Sequence, residues 1–251
     1  MTGPAPYAEP VSTDPTTPPT GSTATGAGAP AGRVQDRIVW IDCEMTGLSL
    51  EHDALVEVAV LVTDADLNVL GDGVDVVIKP PEGSLVDMDP VVVDMHTSSG
   101  LLEELPRGTT LAEAERLVLE YVRQWVPEPR KAPLAGSSVH TDRTFLVRDM
   151  PELTDHLHYR LIDVSSLKEL AKRWFPRVYF NTPKKHGGHR ALADIKESIQ
   201  ELKYYREVLF VPPPGPDSET ARAAGESYEL KDAPAADAPA ADAPATDAPG
   251  A

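Results

Sequence analysis

Three strand-like runs follow one another early in the chain with only short breaks: residues 37–44, ending in "IVWIDCE", residues 55–64, "LVEVAVLVTD", and residues 74–80, "VDVVIKP". Spacing this close, with "DADLN" as a turn between the last two, reads as an antiparallel meander. Pro80 and Pro81 stop the third run. Beyond it, "TTLAEAERLVLEYVRQWV" (109–126) has a helical period. Thr110 is placed to cap it with Glu113 three residues on, and Leu111, Ala114, Leu117, Val118, Tyr121, Val122 and Trp125 form the apolar stripe. A short strand in "APLAGSS", a helix in "DRTFLVRDM", a strand over 159–164, a helix over 165–175 and a final helix over roughly 189–209 complete the pattern. Three strands followed by alternating helices and strands, βββαβαβα, describe an α/β domain whose mixed sheet is flanked by helices.

The two ends of the chain do not share this pattern. Residues 1–34 are rich in Pro, Thr, Gly, Ser and Ala, and residues 212–251 run from "PPPGP" into the near-repeat "DAPAADAPAADAPATDAPGA". Such compositions bury too little apolar surface to offset chain entropy, so both are expected to be disordered tails around one domain, 35–211. The N-terminus shows no signal peptide and no window resembles a membrane span. Cys43 is the only cysteine, which excludes a disulfide framework and argues against a Cys-based zinc site. A cytoplasmic protein is expected.

The formal net charge is −17. The tails hold three basic residues (Arg33, Arg222, Lys231) and ten acidic ones, leaving 20 basic against 30 acidic residues in the central segment. An acidic domain is poorly suited to gripping long nucleic acid through its phosphates. One stretch runs the other way: Lys168, Lys172, Arg173, Arg177, Lys184, Lys185 and Arg190 face only Glu169 in sequence. It reads either as a solvated helix and loop or as a patch able to hold a short polyanion.

The first apolar run ends in two acids. Alternation along a strand puts Asp42 and Glu44 on one face and Cys43 on the other. Two adjacent carboxylates repel unless a cation joins them, and hard oxygen ligands suit Mg²⁺ or Mn²⁺ rather than zinc. The alternative is that the strand has ended and both acids are solvated; "WID-E" followed by "TGL" favours the metal. Cys43, with no basic partner in sequence, reads as a small core residue. Asp142 taken alone is a first-turn helix acid, and Asp194 a solvated acid flanking a buried stripe. Among seven histidines, His189 stands out because Gly187 and Gly188 precede it and the helix bearing Asp194 follows. On one continuous helix the two would lie about 140° apart, so for both to reach one site His189 must sit at the helix start or in the loop before it.

Asp42-x-Glu44, Asp142, His189 and Asp194, in this order on these elements, resemble the DEDDh branch of the DnaQ-like 3′-to-5′ exonucleases, which have an RNase H-like fold. Within that branch, "WIDCEMTGL", "AGSSVHTDRTFL", "MPELTDHLHYRLIDVSSLKELAKRW" and "GGHRALADIKESIQELKYYRE" are similar to the oligoribonuclease family over nearly all of 37–207. The resemblance implies an exoribonuclease acting on very short single-stranded RNA, dinucleotides above all, and releasing 5′-mononucleotides. It implies two divalent ions, Mg²⁺ or Mn²⁺, on Asp42, Glu44, Asp142 and Asp194, with His189 as general base, since an unperturbed imidazole titrates near pH ~6.5. It further implies a homodimer with no other stable protein partner and no membrane association. Leu48 would wedge at the bases, Tyr159 and Arg160 would reach the partner subunit's site, Ser138 and Ser165 would help cap the 5′ phosphate, and His96 would stand on the substrate side. The sequence departs from the family where a Trp commonly precedes "HTxSGL". Val91 stands there and cannot stack on a base, which implies a weaker base grip.

Overall fold

The structure is a computed structural model, and it describes residues 36–185 and 188–229. Residues 1–35, which include the expected N-terminal tail, residues 230–251 and the pair His186 and Gly187 lie outside the described residues.

Strand β1, Ile38–Met45, occupies the centre of a five-stranded sheet of order β3-β2-β1-β4-β5. Strands β2, Leu55–Thr63, and β3, Val69–Val77, extend it antiparallel on one side. Strands β4, Pro133–Gly136, and β5, His158–Asp163, extend it parallel on the other. This is the mixed sheet expected. All nine residues of β2 are buried, because it lies inside the sheet and is covered on both faces.

Helices cover both faces. Helix α1 spans Pro90–Ser98, α2 Leu101–Glu104, α3 Leu111–Trp125, α4 His140–Asp149 and α5 Pro151–His156. Helix α6 spans Val164–Trp174, α7 Pro176–Phe180, α8 Ala191–Leu209 and α9 Ser218–Ser227. Val39, Ile41 and Cys43 of β1 join Val58, Val60 and Val62 of β2 in the core that holds Val118 and Val122 of α3 and Leu146 of α4. The opposite face carries Trp40, Ala59 and Leu61, packed with Ile195, Ile199 and Tyr205 of α8 and Ala171 of α6. By strand alternation Asp42, Glu44 and Glu57 belong to this second face. That is why the acids of β1 meet α8 rather than α3.

Three local differences from the sequence reading have physical causes. Strand β3 begins at Val69, not Val74, and ends at Val77. Gly71 and Gly73 look like breakers, but both take positive φ (72° and 88°) within the strand. A Cβ on Gly71 would lie 2.9 Å from Trp125, so the glycine admits that close approach. Helix α1 has no counterpart in the sequence reading, since Val91, Val92 and Val93 are poor helix formers. Its signal is Asp89 followed by Pro90: Asp89 Oδ1 accepts from the Val91 N–H at 2.8 Å and Pro90 opens the first turn. Helix α9 forms within the segment 212–251, capped by Asp217, which accepts from the Thr220 N–H at 2.8 Å; none of its residues is buried.

Candidate active site

Three carboxylates converge where β1 ends beneath the first turn of α8. Asp42, Glu44 and Asp194 each offer an oxygen within 4.8 Å of the others. Asp42 and Glu44 arrive by strand alternation, and Asp194 by its place in the first turn of α8. Asp142 stands beside them in the first turn of α4, nearly fully buried. It accepts from the Cys43 N–H at 2.9 Å, which ties α4 to the end of β1.

The electrostatics of this cluster are those of acids forced together. Burial first, then the charges of Asp142, Asp194 and Glu44, push Asp42 up to about 9; Lys185 opposes them. Burial, then Glu57, Asp194 and Asp142, push Glu44 up to about 8, against Arg190. Asp142 rises to about 6 through burial, moderated by backbone N–H groups and Cys43. Asp194 is raised by burial and Glu197, while His189 and Lys185 pull it down. A cation among these oxygens would remove the repulsion that raises them, so the donor set fits a divalent metal. Cys43 is held well above its ordinary value by burial, which keeps the thiol neutral and leaves it a core residue.

His189 lies outside α8, two residues before Ala191, and is exposed. Its φ is 48°, in the left-handed region that costs a non-glycine residue about 1–2 kcal/mol. His189 itself makes the turn, although Gly188 stands next to it.

The remaining candidates fall into three groups. Leu48 is 75 % exposed on a loop built tightly from below. Thr46 Oγ1 donates to Asp53 Oδ1 at 2.9 Å, and the Ser49 N–H donates to Asp53 Oδ2 at 2.8 Å. Ser138 and Ser165 come together: Ser138 Oγ donates to Ser165 Oγ at 3.1 Å, and both backbone N–H groups donate to Asp163 Oδ1. Tyr159 and Arg160 lie apart on the edge strand β5, exposed, with Arg160 Nε donating to the Tyr159 hydroxyl at 3.2 Å. Val91 is exposed at the start of α1.

His96 is enclosed within the subunit. The resemblance places it on the substrate side, yet its ring is fully buried. Its Nε2 donates to the Met45 carbonyl at 2.9 Å, and its Nδ1 stands 3.9 Å from Glu44 Oε2. Packing of α1 against the end of β1 thus sets His96 behind Glu44, one of the acids of the cluster.

The basic run is largely spent on structure. Lys168 and Lys185 both reach the buried Glu201 of α8, at 3.3 and 3.2 Å. Arg173 pairs with Glu169 one turn away. Arg190 pairs with Glu57 at 2.8 Å and with Glu104 at 2.9 Å. Glu57, Glu104 and Glu201 escaped the sequence reading. The available signal for Glu57 was a carboxylate inside an otherwise apolar strand.

Comparison with known proteins agrees with this geometry. The exonuclease family RNase_T matches residues 39–202. Oligoribonuclease from Streptomyces coelicolor is 68 % identical over 195 residues, 78 % of this chain and 98 % of its own length. The chain belongs to the oligoribonuclease family. It is a 3′-to-5′ exoribonuclease, a phosphodiester hydrolase. Oligoribonuclease from Nocardia farcinica is 60 % identical over 194 residues, 77 % of this chain and 89 % of its own. Among solved structures, the zinc-bound form of the E. coli exonuclease I complex with single-stranded DNA superposes with a TM-score of 0.54 at 18 % identity. The match covers 70 % of this chain but 41 % of that one, and it shows the shared fold. Among the described residues no helix is long and apolar enough to cross a membrane.

Proposed function

We propose that this family member hydrolyses the shortest single-stranded RNA fragments, dinucleotides above all, releasing 5′-mononucleotides and completing RNA turnover in the cytoplasm. The observation that carries the chemistry is the convergence of Asp42, Glu44 and Asp194 within 4.8 Å, with Asp142 beside them and His189 just ahead of α8. These four carboxylates would hold two divalent ions, Mg²⁺ or Mn²⁺, which when bound stabilise charge on the attacking and leaving oxygens. His189 takes the proton of the attacking water at a ring nitrogen. Its exposure and its electrostatic effect on Asp194 support this role.

The preference for short substrates rests on what surrounds the cluster. Leu48 projects from its rigid loop as an apolar wedge, and the paired hydroxyls of Ser138 and Ser165 offer donors to a terminal phosphate. Lys168, Arg173, Lys185 and Arg190 of the basic run are paired with acids of the chain, so these four supply little for a long phosphate backbone. A homodimer fits the edge of the sheet. Strand β5 has one neighbour, and Tyr159, Leu161, Leu170, Trp174 and Phe175 are exposed on β5, α6 and the residue after it. Tyr159 and Arg160 would then serve the partner subunit's site.

The test is turnover of a 5′-phosphorylated diribonucleotide with Mn²⁺, compared with that of a long single strand. Strong preference for the dinucleotide is expected. Comparable rates on both would refute the length preference, and unchanged turnover after Asp42→Ala would refute the site.

A further inference from the structure

The loop that carries His189 is tied to the sheet by an arrangement outside the acid cluster. Glu57 is fully buried on β2 and stands opposite Glu44 in the β1–β2 ladder. One of its oxygens accepts from Arg190 Nε at 2.8 Å, and the other accepts from the Ala191 N–H at 3.1 Å. The first amide of α8 is therefore capped by a strand carboxylate, while Arg190 at the N-cap makes no side-chain cap of its own. Glu104 of α2 completes the grip: its two oxygens accept from Arg190 Nη1 at 2.9 Å and Nη2 at 3.1 Å. Arg190 is thus held by two carboxylates from two other elements, in the fork geometry that guanidinium supplies and ammonium does not.

The residue immediately before this anchor is His189, exposed and left-handed at φ 48°. An L residue stays in that region only where its surroundings over-determine the backbone. On the other side of the loop, Lys185 is fixed to Glu201 at 3.2 Å. Both described flanks of His189 are therefore pinned to buried carboxylates, and one of these carboxylates shares a strand pair with the metal-facing acids.

We propose that Arg190, held by Glu57 and Glu104, is a positioning residue that fixes the backbone of His189 over the acid cluster. This rests on the reading of His189 as the general base. Arg190 touches neither water nor phosphate in this role; it sets where the imidazole stands. The links from Glu57 to Glu44 by the ladder, and to His189 through Arg190, give the base and the metal-facing strand a common reference.

The test is a double-mutant comparison on the full-length enzyme. Glu57→Ala would strand a partly buried guanidinium and the buried Ala191 amide, so Glu104→Gln and Arg190→Lys are used instead; each leaves a partner for the remaining groups. Steady-state kcat and KM for a diribonucleotide, and activation by Mn²⁺, are measured in the native and His189→Ala backgrounds. In the native background each substitution is expected to lower kcat by about tenfold or more, the scale of a displaced supporting group, with KM and the Mn²⁺ midpoint unchanged. In the His189→Ala background the same substitutions are expected to leave the residual kcat within about twofold. An equal loss in both backgrounds, a shifted Mn²⁺ midpoint, or an unchanged kcat in the native background overturns the positioning role. A His189→Ala enzyme with native kcat overturns the base reading itself, and the positioning role with it.

Discussion

Asp142 accepts a hydrogen bond from the backbone N–H of Cys43 at 2.9 Å, so an acid beside the cluster also holds the end of the central strand. Asn at this position keeps an accepting oxygen and loses the charge; Ala loses both. Asp142→Asn is expected to melt close to the native temperature while activity falls by at least the ~10–100-fold typical of a lost supporting group at a metal site. Asp142→Ala leaves a buried N–H unpaired, which costs about 1–3 kcal/mol in addition. Thermal melts and turnover of both variants check this, and equal stability of the two would refute the structural half.

The acids also set a pH dependence. Asp42 and Glu44 titrate in the folded protein at about 9 and about 8, whereas carboxylates in an unfolded chain titrate near ~4. A raised folded value means that the folded state holds the proton more tightly. The stability it contributes is present below pH ~4 and is lost as pH rises through about 8 to 9. A divalent cation displaces those protons and binds better as they leave. The rise in melting temperature on adding Mg²⁺ should therefore be larger near pH 8 than near pH 6. A rise that shrinks with increasing pH would refute a cation site among these groups.

Gly47 tests the loop that presents Leu48. A Cβ there would lie 2.5 Å from Asp53 Oδ2, and Asp53 is the acceptor that gathers Thr46 and Ser49. Gly47→Ala must displace that carboxylate and loosen the loop. We expect KM for a diribonucleotide to rise several-fold with little change in kcat, because the chemistry lies elsewhere. An unchanged KM would mean that Leu48 does not grip the substrate.

How much of this was legible in the sequence depends on how local each interaction is. Asp42 and Glu44 share a face by alternation alone, and the caps of α3 follow from Thr110 and Glu113, whose N–H donates to the Thr110 hydroxyl at 3.2 Å. Helical geometry required His189 to sit at the helix start or in the loop before it if it shares a site with Asp194, and the structure puts it ahead of α8. The partners of Arg190 did not follow, because Glu57 and Glu104 lie far from it in sequence and meet it only once the second face of the sheet is covered. The contact of His96 with Glu44 was hidden for the same reason: the two are 52 positions apart, and only the packing of α1 brings them together. The start of β3 was hidden by glycines that serve contact with Trp125.

Strand β5 makes a prediction about assembly. It is an edge strand, and Trp174 and Phe175, at the end of the helix that follows it, expose large apolar surface. Trp174→Glu would place a charge where a second subunit would bury an indole. Sedimentation should then show a monomer, with turnover of dinucleotides lost as the partner's Tyr159 and Arg160 withdraw. A monomer with full turnover would refute the shared site, and a dimer unaffected by the charge would place the interface elsewhere.

Val91 is 74 % exposed at the start of α1, where the resemblance drawn from the sequence leads one to expect a Trp. An aromatic ring stacked on a base contributes about 1–3 kcal/mol, and valine offers only a small apolar contact. Val91 packs against little in this structure, so a larger side chain there displaces nothing from the core. Val91→Trp should therefore fold normally and bind a dinucleotide roughly 5- to 150-fold more tightly, with kcat unchanged or lowered by slower product release. The check is the dissociation constant of a diribonucleotide measured on the Asp42→Ala background, where the substrate survives the titration. Unaltered affinity would show that the base of the substrate does not reach the start of α1, and that Leu48 alone supplies the apolar contact.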